Sequence, residues 1–64
     1  MNGGIIMPER HFRRPAVEEM TGLSRSLIYA LMAKGEFPRP VKLSARVVAW
    51  PESSIADWLE SRRT

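Results

Sequence analysis

The centre of the chain, residues 15–35, reads PAVEEMTGLSRSLIYALMAKG. Its first part predicts a two-turn helix that begins at Pro15, because proline suits the first helical position, where its missing N–H has no intrahelical partner. We expect this helix to end at about Thr21. The next residue, Gly22, can adopt the left-handed backbone that often terminates a helix.

A second helix is predicted from Arg25 to Lys34. Ser24 precedes it as an N-cap, because its hydroxyl can accept a hydrogen bond from an unpaired backbone N–H, and Gly35 ends it. At about 100° per residue, one arc of this helix is apolar and is expected to face the core. The apolar arc holds Leu27, Ile28, Leu31 and Met32. The opposite arc is small and polar, and it holds Ser26, Tyr29, Ala30 and Ala33, with Arg25 at its border.

Only Gly22, Leu23 and Ser24 separate the two helices. A helix, a short glycine-containing turn and a second helix are the sequence form of a helix-turn-helix, in which Leu23 is available to fill the corner. An ordinary helical hairpin has the same spacing, so this pattern alone leaves both arrangements open.

A β-hairpin is predicted further along the chain. Residues 37–40 read FPRP and cannot be helical, because proline disrupts the helix and restricts the residue before it. Two β-branched, apolar segments then follow, residues 41–43 and 47–50, on either side of a short polar turn. Val41 and Leu43 are expected to face inward by strand alternation. After a helix-turn-helix, such a hairpin is a wing.

A third helix is predicted from Pro51 to about Arg62, because apolar residues recur in it at helical spacing. Its buried stripe should consist of Ile55, Trp58 and Leu59, with Trp50 in the same cluster. At the other end of the chain, His11 and Phe12 are expected to form a short extended lead-in that places Phe12 on the core. Residues 1–9 show no periodicity and are expected to be a flexible tail.

The expected fold is therefore a small α+β domain over residues 10–63. It is a three-helix winged helix-turn-helix with a two-stranded β-hairpin wing. The chain has 64 residues, of which 44% are hydrophobic, so one small core is all that it can build.

Composition argues against several classes of function. The chain has no cysteine and a single histidine, His11, so we expect no metal site and no cofactor. The acidic residues near the C-terminus, Glu52, Asp57 and Glu60, are best explained as solvent-facing charge, and no nucleophile and base are paired, so we expect no enzyme. No apolar run reaches the ~20 residues that span a bilayer, and the N-terminus does not resemble a signal peptide. We therefore expect a soluble chain with no small-molecule substrate.

Positive charge is concentrated in the middle of the chain. Residues 24–50 carry five of the ten Lys and Arg residues but only one of the seven acidic residues, Glu36, which leaves a net charge of +4. A localised basic surface indicates a polyanionic partner, either nucleic acid or an acidic membrane face. Ordinary solvated surface charge is the alternative.

The outward arc of the second helix is the first candidate site for nucleic-acid binding. Its small side chains would let the helix approach a groove closely, and Arg25 and Ser26 near the N-terminus could donate to base edges or phosphates. The candidate contacts here are Ser24, Arg25, Ser26, Tyr29, Ala30 and Ala33. Alanines are also simply good helix formers, and Tyr29 could instead sit at the core border with its hydroxyl in water.

The predicted wing and its surroundings supply the second group of candidates. Lys42 should project outward and Arg46 follows a tight turn, so they could contact the DNA backbone or the minor groove. The candidates in this region are Lys34, Lys42, Ser44 and Arg46, and possible additional contacts are Arg13, Arg14 and Arg39. Exposed basic residues on a hairpin also serve as edge protection or as solubilising charge.

Five segments resemble the AlpA-type prophage regulatory proteins. They are Arg14 to Val17, Met20 to Ser26 followed by Ile28 and Tyr29, Gly35 to Leu43, Arg46 to Trp50, and Ile55 to Leu59. The TGLSRS element is common among helix-turn-helix proteins, whereas FPRPVKL followed by the tryptophan-bearing end is more specific. The chain departs from the family pattern at Ala45, where a glycine is often found, and at Pro51, where a charged or polar residue is expected.

The resemblance implies a winged helix-turn-helix similar to phage excisionases and distantly to the MerR group. It implies a sequence-specific double-stranded DNA-binding transcriptional regulator of a prophage or integrative element, acting in the bacterial cytoplasm at the nucleoid. By position, Ser24, Arg25, Ser26 and Tyr29 would belong to the recognition helix, and Lys42 and Arg46 to the wing.

Two other functions remain open at this point. The protein could be an excisionase, a recombination directionality factor that bends attachment-site DNA. It could also be a small protein-interaction module such as an antirepressor. As a DNA-binding module of this size, it is expected to self-associate or to bind cooperatively on DNA.

Overall fold

A computed structural model describes residues 9–63 of the chain. The predicted tail, residues 1–9, therefore lies outside the described residues apart from Glu9. The elements in chain order are β1 (His11–Phe12), α1 (Arg14–Thr21), α2 (Arg25–Ala33), β2 (Val41–Ser44), β3 (Val47–Pro51) and α3 (Glu52–Ser61). The prediction of a small α+β winged helix-turn-helix is confirmed.

The turn between α1 and α2 has the predicted structure. Gly22 adopts a φ of 77° and its N–H donates to the Glu18 carbonyl at 2.8 Å, which closes α1. The Thr21 hydroxyl donates to the Val17 carbonyl at 2.8 Å and accepts the N–H of Leu23 at 3.2 Å. Leu23 is thereby held against the core, where it fills the corner as expected.

The ends of α2 are also as predicted to within one residue. The Ser24 hydroxyl accepts the Leu27 N–H at 3.2 Å, so Ser24 is the N-cap. The helix ends at Ala33, Lys34 caps it, and Gly35 follows with a φ of 73°. The N–H of Glu36 then donates back to a carbonyl in the last turn, which reverses the chain direction.

The sheet has three strands in the order β1-β3-β2, and both pairings are antiparallel. The third strand is the predicted lead-in: His11 pairs with Pro51 and Phe12 with Trp50. The β2–β3 hairpin is the predicted wing, and its register shifts between Lys42 and Ser44. Because β3 is the central strand, the wing is anchored to the start of the domain as well as to α3.

The expectation that Val41 and Leu43 face the core is wrong. All four residues of β2 are exposed, and Leu43 is 53% exposed. The reason is position in the sheet: α1 and α3 pack against β3, whereas β2 packs chiefly against β3 at the sheet edge. Strand alternation assigns residues to two faces, but here neither face of β2 is covered.

The N-terminal segment caps α3. Pro51, the last residue of β3, precedes this helix and offers no capping side chain. The N–H of Glu52 donates to the Arg10 carbonyl at 2.8 Å, and the N–H of Ser53 donates to the Glu9 carboxylate at 2.8 Å. These hydrogen bonds to Ser53 hold the pKa of Glu9 below its ordinary value. The Glu9 carboxylate that caps α3 thus lies 44 residues before Ser53 in the chain. The antiparallel pairing of β1 with β3 brings this segment to the start of α3.

A single core joins all three helices to the sheet. Its buried members are Val17, Ile28, Phe37, Trp50 and Ile55, and its partly buried members are Phe12, Leu23, Leu31, Met32, Trp58 and Leu59. The predicted stripe on α3 and the predicted place of Trp50 are confirmed. Leu27 was expected in the core, but it is 45% exposed because it lies at the edge of the apolar arc, close to Ala30 and Lys34 in helical projection.

Phe37 organises the loop between α2 and β2, a role that the sequence analysis missed. Its ring packs edge-on against Trp50 at 6.4 Å and against Trp58 at 4.9 Å between centroids. Both indole N–H groups donate to carbonyls of the same loop, Trp50 to Pro38 and Trp58 to Glu36, each at 2.8 Å. The position of the wing relative to α3 is therefore held by aromatic contacts and two hydrogen bonds.

Candidate nucleic-acid interface

The principal residues predicted to contact DNA all have exposed side chains in the structure. They are Ser24, Arg25, Ser26, Tyr29, Ala30, Ala33, Lys34, Lys42, Ser44 and Arg46. They fall into two groups, one on α2 and its C-terminal end and the other on the β2–β3 hairpin. Within residues 9–63, no hydrogen bond or ion pair joins one group to the other.

The orientation of α2 follows from what it buries. Ile28 is fully buried and α2 packs chiefly on α1, so the arc opposite Ile28 faces solvent. That arc carries two alanines and a serine, whose small side chains leave the helix backbone accessible. A helix with such a face can approach a flat or grooved surface more closely than a helix covered by long side chains.

Arg25 and Tyr29 are in contact on this exposed arc. The guanidinium carbon of Arg25 lies 5.9 Å from the centroid of the Tyr29 ring, and the tyrosine is 46% exposed. The tyrosine ring therefore lies at the surface of α2 beside the guanidinium, and its hydroxyl as a phosphate contact stays a prediction. The i, i+4 spacing of the two residues was the signal that could have revealed it, because such pairs are neighbours on a helix surface.

In the part of the chain that the structure describes, the basic residues of the middle segment form no ion pair with an acidic residue. In the described part of the chain the ion pairs are Arg14–Glu18 and Arg63–Glu60. The middle-segment cations that form no ion pair there are Arg25, Lys34, Arg39, Lys42 and Arg46. Because no carboxylate among residues 9–63 pairs with them, α2 and the wing present positive charge at the surface.

The possible additional contacts differ in their surroundings. Arg13 and Arg39 are exposed. Arg14 instead bonds to the Glu18 carboxylate within α1, and the guanidinium of Arg10 lies 4.9 Å from the Phe12 ring centroid. The structure thus engages Arg14 and Arg10 in contacts within the domain, whereas Arg13 and Arg39 project from it.

The described residues hold neither a cluster of metal-ligating side chains nor a helix that could span a membrane. No cluster of three or more His, Asp or Glu side chains that could hold a metal ion occurs among residues 9–63. Over the same residues, every helix is too short or too polar to cross a membrane.

A helix-turn-helix, a third helix and a β-hairpin around one core define a small winged helix-turn-helix protein. Comparison of sequences then gives the family. The chain belongs to the AlpA family, because the family model described as prophage CP4-57 regulatory protein (AlpA) matches residues 10–63. The predicted resemblance is confirmed.

A relative from a phage supports the same membership. The chain is similar to uncharacterized protein ORF88 of Enterobacteria phage P4, with 47% identity over 57 residues. The match covers 89% of this chain and 65% of the phage P4 protein, so the chain spans somewhat less than two thirds of that relative. The protein is therefore a member of a family of prophage regulatory proteins.

Proposed function

We propose that the protein is a sequence-specific double-stranded DNA-binding regulator of a prophage or integrative element. In this proposal α2 is the recognition helix and enters the major groove, while the β2–β3 hairpin lies against the backbone or an adjacent minor groove. The observation that carries the proposal is the exposed arc of α2, which combines small side chains with an arginine that no acidic residue in the described part neutralises.

The shape of α2 suits a major groove. The groove is about 12 Å wide and admits one helix, whose N-terminal residues then contact base edges. Ser26, Ala30 and Ala33 allow close approach, and Arg25 at the first helical position supplies donors. The N-terminus of the helix also favours a phosphate, because its backbone N–H groups and dipole are positive.

The hairpin suits the DNA backbone. Lys42, Ser44 and Arg46 are exposed, and the two cations have no ion-pair partner among residues 9–63. Contacts of this kind with phosphates position a protein on DNA without reading its sequence. Lys34 and Arg39 extend the positive surface between α2 and the hairpin, and Arg13 is a further exposed cation.

Two copies of the protein should occupy one operator. A single module of this size buries only about 600–1,000 Å² on DNA, which limits its specificity. Self-association or cooperative binding would double the number of base contacts. A titration that measures stoichiometry on a selected operator, by native mass spectrometry, should give two or more chains per duplex.

The proposed site of action is the bacterial nucleoid in the cytoplasm.

Fluorescence anisotropy with labelled duplexes tests the assignment of α2. Operators are first selected with the full chain from duplexes that carry a randomised core. Arg25→Ala should weaken binding to a selected operator by about 1–3 kcal/mol, because an arginine that reads a base contributes about that much discrimination. It should affect a scrambled duplex much less. If Arg25→Ala weakens binding to both duplexes by the same factor, Arg25 takes no part in sequence recognition.

Salt titration tests the assignment of the wing. Lys42→Ala should weaken binding to every duplex alike and reduce the slope of log K against log[salt] by about 1, because one fewer phosphate counterion is released. Arg63→Ala is the matched control: it also removes one positive charge, but this arginine pairs with Glu60 on α3. The proposal fails if the control variant weakens binding as much as Lys42→Ala, or if the wild type binds no duplex at low salt.

A further inference from the structure

We infer that Tyr29 positions the Arg25 guanidinium so that it reads one guanine in the major groove. Arg25 would be the residue that contacts the base, and Tyr29 a positioning residue that acts through it. The inference rests on the proposed function and names the pair of residues that determines part of its specificity.

On α2 the guanidinium of Arg25 lies against the aromatic ring of Tyr29. Arg25 is the first residue of the helix and Tyr29 lies one turn later on the same face, with 5.9 Å between the guanidinium carbon and the ring centroid. Stacking uses the flat face of a guanidinium and leaves its N–H edges free to donate. Arg25 forms no ion pair within residues 9–63, so its charge is available to a ligand.

Two other arginines in the described part also lie over aromatic rings, but their places differ. Arg62 lies over the Trp58 ring and donates to the Glu36 carbonyl at 3.1 Å, so it holds the loop before the wing. Arg10 lies over Phe12 at the sheet edge. Only the Arg25–Tyr29 pair lies on the exposed arc of α2, beside the small side chains that would face a groove floor.

The chemistry of the guanidinium points to guanine. A guanine edge in the major groove presents two acceptors, O6 and N7, whereas adenine presents one acceptor and one donor. The fork of N–H donors on arginine matches two adjacent acceptors. A ring that holds the guanidinium in place reduces the side-chain entropy lost on binding.

The experiment is a selection from duplexes whose randomised core is about 20 bp long, or two turns of DNA, followed by sequencing of the retained duplexes. The full chain is used as wild type, Tyr29→Phe, Tyr29→Leu and Arg25→Ala. We expect the wild type and Tyr29→Phe to prefer guanine equally at one position of the selected site. Tyr29→Leu should lower this preference about two- to fivefold, the value of a cation–π contact of about 0.5–1 kcal/mol. Arg25→Ala should abolish it.

A double variant shows whether Tyr29 acts through Arg25. In the Arg25→Ala background, Tyr29→Leu should cause no further change at that position, and preferences elsewhere in the site should stay as in the wild type. Tyr29 is about half exposed, so a thermal melt followed by circular dichroism should show that the leucine variant folds.

The outcomes separate this inference from the proposed function. If Tyr29→Phe loses as much preference as Tyr29→Leu, the hydroxyl and not the ring is responsible, and the inference is wrong. It is equally wrong if Tyr29→Leu keeps the full guanine preference. If the wild type retains no duplex at low salt, the proposed function itself fails.

Discussion

At the residue scale, the end of α1 depends on a left-handed backbone at Gly22, which glycine adopts without strain. Its φ is 77°, and a Cβ added there would meet no atom within 4 Å, so strain and not crowding sets the cost of a substitution. We expect Gly22→Ala to lower the free energy of unfolding by about 1–2 kcal/mol. Gly22→Asn should cost less, because asparagine tolerates left-handed backbone.

Urea denaturation followed by circular dichroism measures both variants. The order of stability should be wild type, then asparagine, then alanine. Equal stability of the alanine variant and the wild type would mean that the turn between α1 and α2 can reach another conformation without cost.

The two tryptophans offer a second comparison at this scale. In the described residues the Pro38 carbonyl accepts a side-chain hydrogen bond from one donor, the Trp50 indole N–H. The Glu36 carbonyl accepts from two side-chain donors, Trp58 and Arg62. Trp50→Phe should therefore cost about 1–3 kcal/mol in unfolding free energy for the unsatisfied carbonyl, in addition to lost packing. Trp58→Phe should cost less, because Arg62 still donates to Glu36. Chemical denaturation of both variants checks this order, and a larger loss for Trp58→Phe would contradict it.

At the scale of elements, α3 owes its N-terminal cap to a distant segment. The Glu9 carboxylate accepts the Ser53 N–H, and this hydrogen bonding lowers the pKa of Glu9. A carboxyl whose pKa is lower in the folded state stabilises the fold at neutral pH. The contribution is complete above the ordinary glutamate pKa of about 4.3 and is lost as the pH falls through the lower value of the folded state.

We expect Glu9→Gln to lower Tm at pH 7 and to leave it nearly unchanged once the pH has fallen below the lowered pKa of Glu9, where the wild-type carboxyl is also neutral. Glu52→Gln is the matched control, because it removes a neighbouring carboxylate from the same helix terminus without removing the Ser53 contact. Thermal melts across this pH range measure the difference between variants. A difference in Tm that stays constant with pH would show that the carboxylate charge plays no part in capping α3.

At the scale of the whole molecule, one small core supports every surface proposed to contact DNA. Ile55 on α3 is fully buried with residues of α1, α2, β3 and the intervening loop. Ile55→Ala should cost about 2–5 kcal/mol, which is comparable to the stability that so small a core can provide. The variant should therefore lose helix content and DNA binding together, although Ile55 lies outside the proposed interface.

Ile55→Val is the control for this prediction, with an expected cost of about 0.5–1.5 kcal/mol and retained binding. Circular dichroism and anisotropy on the same samples measure fold and binding. If Ile55→Ala binds DNA like the wild type, α2 does not depend on the common core.

Local signals explain which parts of the site were predictable. The cap at Ser24, the glycines that follow α1 and α2, and the spacing of apolar residues place the small-residue arc of α2 outward, and the structure agrees. The position of the Arg25 guanidinium over the Tyr29 ring was missed, although it is also local. The wrong inward assignment of Val41 and Leu43 has another origin: alternation cannot show whether a neighbouring element covers a strand.

The order of residues along the chain was sufficient to determine the three helices and the hairpin, because caps, prolines and periodicity act within a few residues. The family was recognised separately, by the resemblance of longer segments. Tertiary structure alone decided that His11–Phe12 joins the sheet, that Glu9 caps α3, and that Phe37 packs between two tryptophans. It also decided that β2 is an uncovered edge. These contacts join residues far apart in sequence, and their energies depend on where whole elements lie once the core has formed.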